Sequence, residues 1–438
     1  MDQTEALIIE TIDRHREEIL EFARDIYSHA ELGYKEFQTS GKFVKKMEQL
    51  GLRTEKGFAI TGVKAYLNED KKENASLALL GELDALRIPE HAFANPETNA
   101  AHCCGHHAQM AGIFGAALAL TVPEIAEKLG GQVVFFATPA EEYGEIEFKN
   151  QLREQGKIRY GGGKCELIRT GAFDDIDLCL AHHIQPGDEI QVGSGTGNGF
   201  VSKVIRYLGK AAHAAGAPDK GVNALSAASL GLQALGLNRE TFRDEDCVRV
   251  HPIITKGGNL VNVIPDEIEI ETLLGARTIE AFTDAAKRTD RCFQAGAVAM
   301  GAKVEITTLP GYLPTLAEQA LPELKRAAEL AAPEVPVREA AGHSGGSTDV
   351  GDVQHLMPVY TFNTGGVKGG LHQINFEVTN EEEAYIDTAK MFALAAYGLL
   401  KEKAARSKEL VKNYKPVFKD SAEYTKFMEQ FDSKEVLD

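Results

Sequence analysis

Four short apolar segments of the chain each run into acidic residues or histidines, and this repeated pattern limits the folds available to the chain. The segments are 77–80, 133–137, 176–181 and 359–362, followed by Glu82 and Asp84, Glu141 and Glu142, His182 and His183, and His372. A segment that is apolar at every position is typical of a parallel strand covered on both faces. Open α/β sheets place their sites at the carboxyl ends of such strands. The pattern therefore predicts an α/β domain with a mostly parallel central sheet and a site along one edge.

The stretch 101–110 holds a dense group of metal-binding side chains. It reads A-H-C-C-G-H-H-A-Q-M and places two cysteines and three histidines between His102 and His107. Apolar residues at helical spacing follow at once, so these side chains stand at the start of a predicted helix, where positive partial charge favours a thiolate. Thiolate and neutral imidazole are the ligands that zinc prefers. The alternative interpretation is a buried turn whose cysteines and histidines are incidental.

The pattern changes from about residue 197 to residue 308. Predicted strands cover 201–208, 248–254, 268–274 and 304–308, and predicted helices cover 222–237 and 278–300. Their order, βαββαβ, is that of the ferredoxin-like split unit. We therefore predict a catalytic α/β/α domain of residues 1–196 and 310–438, interrupted by a ferredoxin-like lid or dimerisation domain of residues 197–309. The tail from residue 401, rich in Lys and Glu, is interpreted as a solvated helix or a partly ordered terminus.

Charge and composition exclude several classes of function. The 438 residues carry a formal net charge of -18, which argues against nucleic acid or an anionic membrane as a partner. No run of about 18 apolar residues is present, and the start of the chain lacks the pattern of a signal peptide. The six cysteines are scattered rather than arranged as a disulfide framework, which favours a reducing compartment. We expect a cytoplasmic protein that acts on a small molecule.

Ten short motifs, in order along residues 15–400, resemble the aminoacylase/carboxypeptidase superfamily of co-catalytic metallopeptidases. They read S-H-A-E-L-G-Y-K-E-F-Q-T-S, G-E-L-D-A-L, H-C-C-G-H, P-A-E-E, A-H-H-I-Q-P-G, G-K-A-A-H-A-A, G-G-N-L-V-N-V-I-P-D, G-A-R, G-S-T-D-V-G-D-V and L-H-Q-I-N-F. The set is most similar to the amidohydrolase branch of auxin-conjugate, hippurate and aminobenzoyl-glutamate hydrolases. Each motif alone is a weak signal, whereas ten in one order are specific.

The resemblance implies a centre of two divalent metal ions. Its ligands would be Cys104, His106, Glu142, His183 and His372, with the Cys104 sulfur between the two ions. Zinc or manganese would be the native metal, with cobalt or nickel as alternatives, because a Cys, His and Glu set does not identify the ion.

The resemblance also divides the work of the two adjacent glutamates. Glu141 would be the general base, Glu142 would bind metal, and Asp84 would orient a ligand imidazole. Adjacent residues at the end of an extended strand face opposite ways, so such a pair suits two separate tasks. The alternative for Glu141 and Glu142 is a solvated acidic turn.

Three residues of the predicted lid would contact the substrate if the resemblance holds. His213 would meet negative charge that develops on the substrate, usually in the site of the other subunit, and Asn262 and Arg277 would hold the substrate or its carboxylate. His213 could instead be a surface histidine, and Arg277 a structural ion-pair partner. His182 and His343 are interpreted as structural, although His343 could touch substrate.

The chain departs from the family pattern in three places. His107 and Gln109 replace the usual Asp and His after the Cys-Gly-His motif, and Glu82 stands where the branch more often has Asp. These changes alter the surroundings of the ligands and could retune the metal preference. Residues 143–160 form an insertion after Glu142, which could shape the pocket or merely lengthen an outer loop.

These observations predict a two-metal amidohydrolase that cleaves the amide bond of an N-acyl or N-aroyl amino acid or a related dipeptide. It is expected to be a homodimer through the lid. One alternative keeps the same metal site for the hydrolytic deamination of an aryl or heteroaryl amine. The other is a non-catalytic metal-binding protein.

Overall fold

The computed structural model describes residues 1–437, which divide into two compact units. The first unit consists of Met1–Gly195, Leu316–Gly342 and Asp352–Tyr424, and the second of Thr196–Thr315, His343–Gly351 and the residues from Thr425 onward. The second unit is therefore inserted into the first along the sequence and also takes up the end of the chain. Within residues 1–437, no helix combines the length and apolar character needed to cross a membrane.

The two units contain helices and strands of ordinary length. The helices, in chain order, are α1 (Gln3–Arg14), α2 (Arg16–Ser28), α3 (Phe37–Gln49), α4 (His106–Leu120), α5 (Pro123–Ala126), α6 (Ile146–Glu154), α7 (Gly163–Arg169), α8 (Ala224–Asn238), α9 (Ile279–Met300), α10 (Pro322–Ala331), α11 (Val350–Gln354), α12 (Thr388–Asn413) and α13 (Ser421–Met428). The strands are β1 (Arg53–Phe58), β2 (Gly62–Leu67), β3 (Ser76–Glu82), β4 (Leu86–Arg87), β5 (Ala100–Ala101), β6 (Gln132–Thr138), β7 (Leu178–Ile184), β8 (Ile190–Val192), β9 (Thr196–Gly197), β10 (Gly199–Leu208), β11 (Arg249–Lys256), β12 (Glu267–Ala276), β13 (Lys303–Tyr312), β14 (Val337–Glu339), β15 (His343–Ser344), β16 (Val359–Thr364), β17 (Val367–Lys368), β18 (Glu377–Val378) and β19 (Ser433–Leu437). A π-helical segment, Glu382–Asp387, precedes α12, and residues 401–404 interrupt α12 with non-helical backbone.

The first unit is built on an eight-stranded sheet in the order β1-β2-β6-β3-β7-β16-β8-β14. Its four central strands, β6, β3, β7 and β16, run parallel to one another. They correspond to the four predicted apolar segments. Every residue of β3 and β6 is buried, so both faces of the sheet are covered there, as the predicted α/β class requires.

Helix α4 is buried along its whole length within the first unit. Its sequence is apolar around the full circumference, which is typical of a helix enclosed on all sides. It packs against β3 on one side and against α2 and α12 on others. Because the core fixes this helix, it also fixes the histidine that begins it, His106.

The second unit holds a five-stranded antiparallel sheet in the order β11-β12-β10-β13-β19. Along the chain its main elements follow the order β10-α8-β11-β12-α9-β13. Helices α8 and α9 pack together, and Tyr207, Ile268 and Phe293 are fully buried in the core of this unit.

The tail after residue 401 is more ordered than a solvated helix. Tyr424 and Met428 are buried, and β19 pairs with the outer edge of β13. The apolar residues of the tail are spaced too irregularly to indicate these contacts, which depend on surfaces formed elsewhere in the chain.

The insertion 143–160 contains the short helix α6.

Candidate metal centre

Ligand-type side chains meet in three overlapping groups at the carboxyl edge of the central strands of the first unit. The groups are Cys104, His106 and His183; Cys104, Glu142 and His372; and Glu82, His106 and Glu141, and the ligand atoms within each group lie within 4.8 Å of one another. The first two groups share the Cys104 sulfur. The structure therefore brings together all five side chains that the resemblance implies as ligands.

Cys104 and His106 flank a glycine that the turn requires. Gly105 has φ +89° and lies immediately before α4. A Cβ at this position would lie 2.0 Å from Cγ2 of Ile184, so no larger residue fits without a shift. The turn places the Cys104 sulfur 3.3 Å from Nε2 of His183.

Hydrogen bonds fix which nitrogen of each imidazole faces the centre. His106 Nδ1 donates to the carbonyl oxygen of Asp84 at 2.8 Å, and His183 Nδ1 donates to the carbonyl oxygen of Ile184 at 2.7 Å. A carbonyl oxygen only accepts, so each Nδ1 carries a hydrogen and each Nε2 keeps its lone pair when the ring is neutral. Such second contacts orient histidine ligands in metal sites.

The two glutamates lie in a buried turn that follows β6. Asp84 clamps this turn, because its Oδ1 accepts the N–H of Glu141 at 3.1 Å and its Oδ2 accepts that of Glu142 at 2.9 Å. Ala140 has φ +50°, and its N–H donates to Oε1 of Glu36 at 2.8 Å. The turn is therefore held by side chains from two earlier segments of the sequence.

His372 reaches the centre from the glycine-rich loop after β16. Its N–H donates to the carbonyl oxygen of Cys103 at 2.9 Å, and its backbone has φ +62°. Its Nε2 lies 3.3 Å from the Cys104 sulfur and 3.2 Å from Oε1 of Glu142. The carboxylate of Glu142 at this distance raises the pKa of His372.

The donor atoms fit a divalent cation. His106 Nε2 lies 3.0 Å from Oε2 of Glu82, yet neither it nor Oε1 of Glu142 has a hydrogen bond of acceptable geometry within residues 1–437. A neutral imidazole that donates from Nδ1 would face this carboxylate with a lone pair, so a proton or a cation has to lie between them. Burial alone would lower the pKa of His106, but the charges of Glu82 and Cys104 outweigh it and raise that pKa well above its usual value. A metal ion would take the place of this proton.

Glu82 is a member of the site whose contacts the sequence analysis did not find. Lys164, fully buried on α7, donates to Oε1 of Glu82 at 2.6 Å, and Gln109 donates to Oε2 at 2.8 Å. Burial alone would raise the pKa of Glu82, but the charges of Lys164 and His106 lower it to about 2. The sequence does show an acidic residue, Glu82, at the end of a buried strand and a lysine, Lys164, after three glycines. Nothing in the sequence indicates that these two residues form a pair.

Two further histidines of the motifs, His107 and His182, take structural positions. His107 Nε2 lies 3.1 Å from the hydroxyl of Tyr385, and burial, together with the charge of His106, lowers the pKa of His107 to about 3. His182 Nε2 lies 2.7 Å from Oγ1 of Thr364, and burial lowers its pKa as well. Neither ring belongs to a group of ligand atoms.

The three lid residues occupy two separate places in the second unit. His213 and Asn262 are neighbours, because the N–H of Ala214 donates to the carbonyl oxygen of Asn262 at 2.9 Å. Asn262 precedes β12, whereas Arg277 directly follows it. A ten-residue strand spans roughly 30 Å, so one copy of this unit cannot bring Arg277 close to His213.

Arg277 is exposed at the end of β12. It forms no salt bridge with any carboxylate of residues 1–437. Burial and then the charges of Arg277 and Arg249 lower the pKa of His343. His343 itself is engaged on both sides, with Nδ1 at 2.9 Å from Oγ1 of Thr196 and Nε2 at 3.0 Å from Oδ1 of Asn198.

Comparison with known proteins gives a consistent set of relatives. A family model described as Peptidase family M20/M25/M40 matches residues 78–397. The chain is 27% identical to a Mus musculus Xaa-Arg dipeptidase over 422 residues, covering 93% of this chain and 88% of that protein. It is 28% identical to an Arabidopsis thaliana IAA-amino acid hydrolase, covering 68% and 66%. The fold is similar to that of a Bacillus subtilis dinuclear metal-binding peptidase from the M20 family, with TM-score 0.61, 23% identity, and coverage of 89% and 99%.

Proposed function

The chain belongs to peptidase family M20/M25/M40, and on this basis we propose that it is a metal-dependent amidohydrolase. Its substrate would be an N-acyl or N-aroyl amino acid or a related dipeptide. The names of the dipeptidase and the amino acid hydrolase that it resembles support an amide bond next to an amino acid. The observation that carries the proposal is the Cys104 sulfur, which two groups of ligand atoms share.

Two divalent ions would be held by this arrangement. Cys104, His106 and His183 would hold one, and Cys104, Glu142 and His372 the other. Sulfur, imidazole and carboxylate ligands together suit zinc, manganese, cobalt or nickel, and we propose zinc or manganese. When bound, two such ions lower the pKa of a shared water and polarise the amide carbonyl.

The chain's own residues would move and direct the proton. Glu141 is 8% exposed, belongs to no group that contains Cys104, and lies with Oε2 3.9 Å from Nε2 of His106. We assign it as the general base that takes a proton from water and returns it to the leaving amine. Asp84 would keep this base in place through the N–H groups of the turn and would orient His106.

The substrate's carboxylate would be held by Arg277, which has no carboxylate partner of its own. His213 and Asn262 would act on the same substrate from a second copy of the chain, since β12 separates them from Arg277 in one copy by roughly 30 Å. A homodimer through the second unit is therefore part of the proposal. No disulfide joins the cysteines of residues 1–437, which supports a reducing compartment, and we keep the cytoplasm as the proposed location.

The replacement of Glu141 by Gln tests the function. The E141Q variant should keep the zinc content of the wild type and lose about 10²- to 10⁴-fold in kcat, because the proton has no acceptor. Zinc content would be measured by elemental analysis, and kcat on N-acetyl and N-benzoyl amino acids and dipeptides. Glu127→Gln, at an exposed position, is the matched control and should leave both values unchanged.

The products of the wild type separate the alternatives. A free amino acid supports the proposal, whereas ammonia alone would favour a deaminase. A zinc-loaded wild type that hydrolyses no substrate of the panel would favour a non-catalytic metal-binding protein. Full activity of E141Q would overturn the assignment of the base.

A further inference from the structure

The insertion 143–160 places a buried lysine against the turn that carries both glutamates. We propose that Lys149 is a positioning residue of the metal centre, which holds the Glu141–Glu142 turn in the geometry that metal binding requires. The inference deepens the proposed function, because it rests on the assignment of Glu142 as a ligand. It gives the insertion a task beyond that of a longer outer loop.

Lys149 makes its contact from the middle of α6. Its side chain is buried, with the whole residue 3% exposed, and its ammonium donates to the carbonyl oxygen of Glu142 at 2.6 Å. An ammonium is normally solvated, and burying it is costly unless its donors find strong acceptors. Charge-assisted hydrogen bonds of this length are about twice as strong as neutral ones.

Two aromatic rings lie beside the same ammonium. Nζ of Lys149 lies 5.0 Å from the ring centroid of Tyr143 and 5.7 Å from that of Tyr34. These distances lie within the range at which a cation is attracted to a ring. The rings limit where the ammonium can sit, and the lysine therefore acts as a fixed support for the carbonyl group.

Lys149 complements the clamp formed by Asp84. The carboxylate of Asp84 accepts the N–H groups of Glu141 and Glu142, while Lys149 binds the carbonyl oxygen that follows them. Ala140 precedes them with φ +50°, a conformation that costs energy for a residue other than glycine. A turn that starts in such a conformation needs contacts at both ends to keep the glutamate side chains in a fixed orientation. Lys149 supplies the contact at the Glu142 end of the turn.

The outer side of the insertion offers a matched control. Lys35 forms a salt bridge with Glu145 at 2.8 Å, and its ammonium lies 4.0 Å from the ring centroid of Phe148. These contacts attach α6 to an earlier segment of the chain, but they reach neither Glu141 nor Glu142. Lys35→Met therefore loosens the insertion without touching the turn, whereas Lys149→Met removes the contact with the turn.

The test is the affinity of the full-length, metal-free protein for Zn²⁺, measured by competition with a chromophoric chelator. Replacing a residue that contacts a metal ligand, rather than the metal itself, typically costs 10- to 100-fold in metal affinity. We expect a loss in this range for K149M at the site that uses Glu142. K35M should stay within about twofold of the wild type. Lys149→Arg keeps the charge but changes the position of the donor, so it should give an intermediate loss of zinc affinity. This variant replaces K149M in the test if K149M does not fold.

The thermal midpoint of the metal-free variants distinguishes positioning from simple stabilisation. A lysine that only stabilises α6 would lower the midpoint in K149M and K35M alike and leave the zinc affinity of the folded protein unchanged, and this result would overturn the inference. If the wild type binds no zinc, the proposed function fails together with the inference. If the wild type binds two ions and K149M binds them equally well, the inference alone fails.

Discussion

Cys104 is the residue on which the proposed centre most depends, and its protonation makes metal binding sensitive to pH. Burial, followed by the charge of Glu142, raises the pKa of the Cys104 thiol well above its usual value in the metal-free protein. Zinc has to displace this proton, so its affinity should rise with pH, by up to about tenfold per pH unit for each proton released.

The variant Cys104→Ala should bind zinc more weakly and with a shallower pH dependence, measured by chelator competition at pH 6, 7 and 8. Cys103→Ala is the matched control, because Cys103 is also buried but belongs to no group of ligand atoms. It should keep the slope of the wild type. An unchanged slope in Cys104→Ala would contradict a role for this sulfur as a ligand.

Glu318 governs a different pH effect, on stability rather than on metal binding. Its Oε1 accepts the N–H of Val359 at 3.4 Å, its Oε2 has no partner within residues 1–437, and burial raises its pKa from 4.5 to about 8. The folded protein therefore keeps a proton that the unfolded chain has released. The stability due to this proton is complete below pH 4.5 and is lost as the pH rises to about 8, at no more than about 1.4 kcal/mol per pH unit.

Glu318→Gln imitates the protonated side chain. Its free energy of unfolding, measured by urea denaturation, should exceed that of the wild type by more at pH 8 than at pH 5. The exposed Glu334→Gln should show no such trend. A difference between Glu318→Gln and the wild type that is the same at both pH values would show that titration of Glu318 is not its cause.

At the scale of elements, the sequence predicts what depends on local patterns. The strands β3, β6 and β7 are buried at all or nearly all positions and β16 at half of its positions, and a continuous apolar run signals such burial directly. The polar residues that follow the runs then lie at one edge, because parallel neighbours end on the same side. This is why ligands far apart in the sequence could be expected to meet.

Contacts between distant elements leave no such local signal. Lys164 on α7 pairs with Glu82 at the end of β3, and β19 completes the sheet of the second unit beside β13. A lysine in a short helix is normally exposed, and a charged C-terminal strand resembles a flexible tail. Only the arrangement of the folded chain shows that both are enclosed or paired, so neither could be derived from residue spacing.

At the scale of the whole molecule, the shape of the second unit bears on the number of chains in one site. The edge strand β11 and the loop after it expose apolar side chains, among them Ile253, Leu260 and Val261. An exposed edge strand with apolar side chains readily pairs with another strand. A second copy of this edge is the partner that we propose, and analytical ultracentrifugation should show a dimer that Val261→Asp weakens.

If the protein is such a dimer, two inactive variants should regain activity when they are mixed. His213→Ala and Arg277→Ala should each lose activity, since each lacks one of two groups on the substrate. In a mixed dimer, the site that combines Arg277 of one chain with His213 of the other is intact, while the second site lacks both groups. After exchange of subunits, half of the dimers are mixed, so roughly a quarter of the wild-type activity should return. If both residues served the site of their own chain, no mixture would contain an intact site, and activity would stay at the level of the single variants even when exchange is complete.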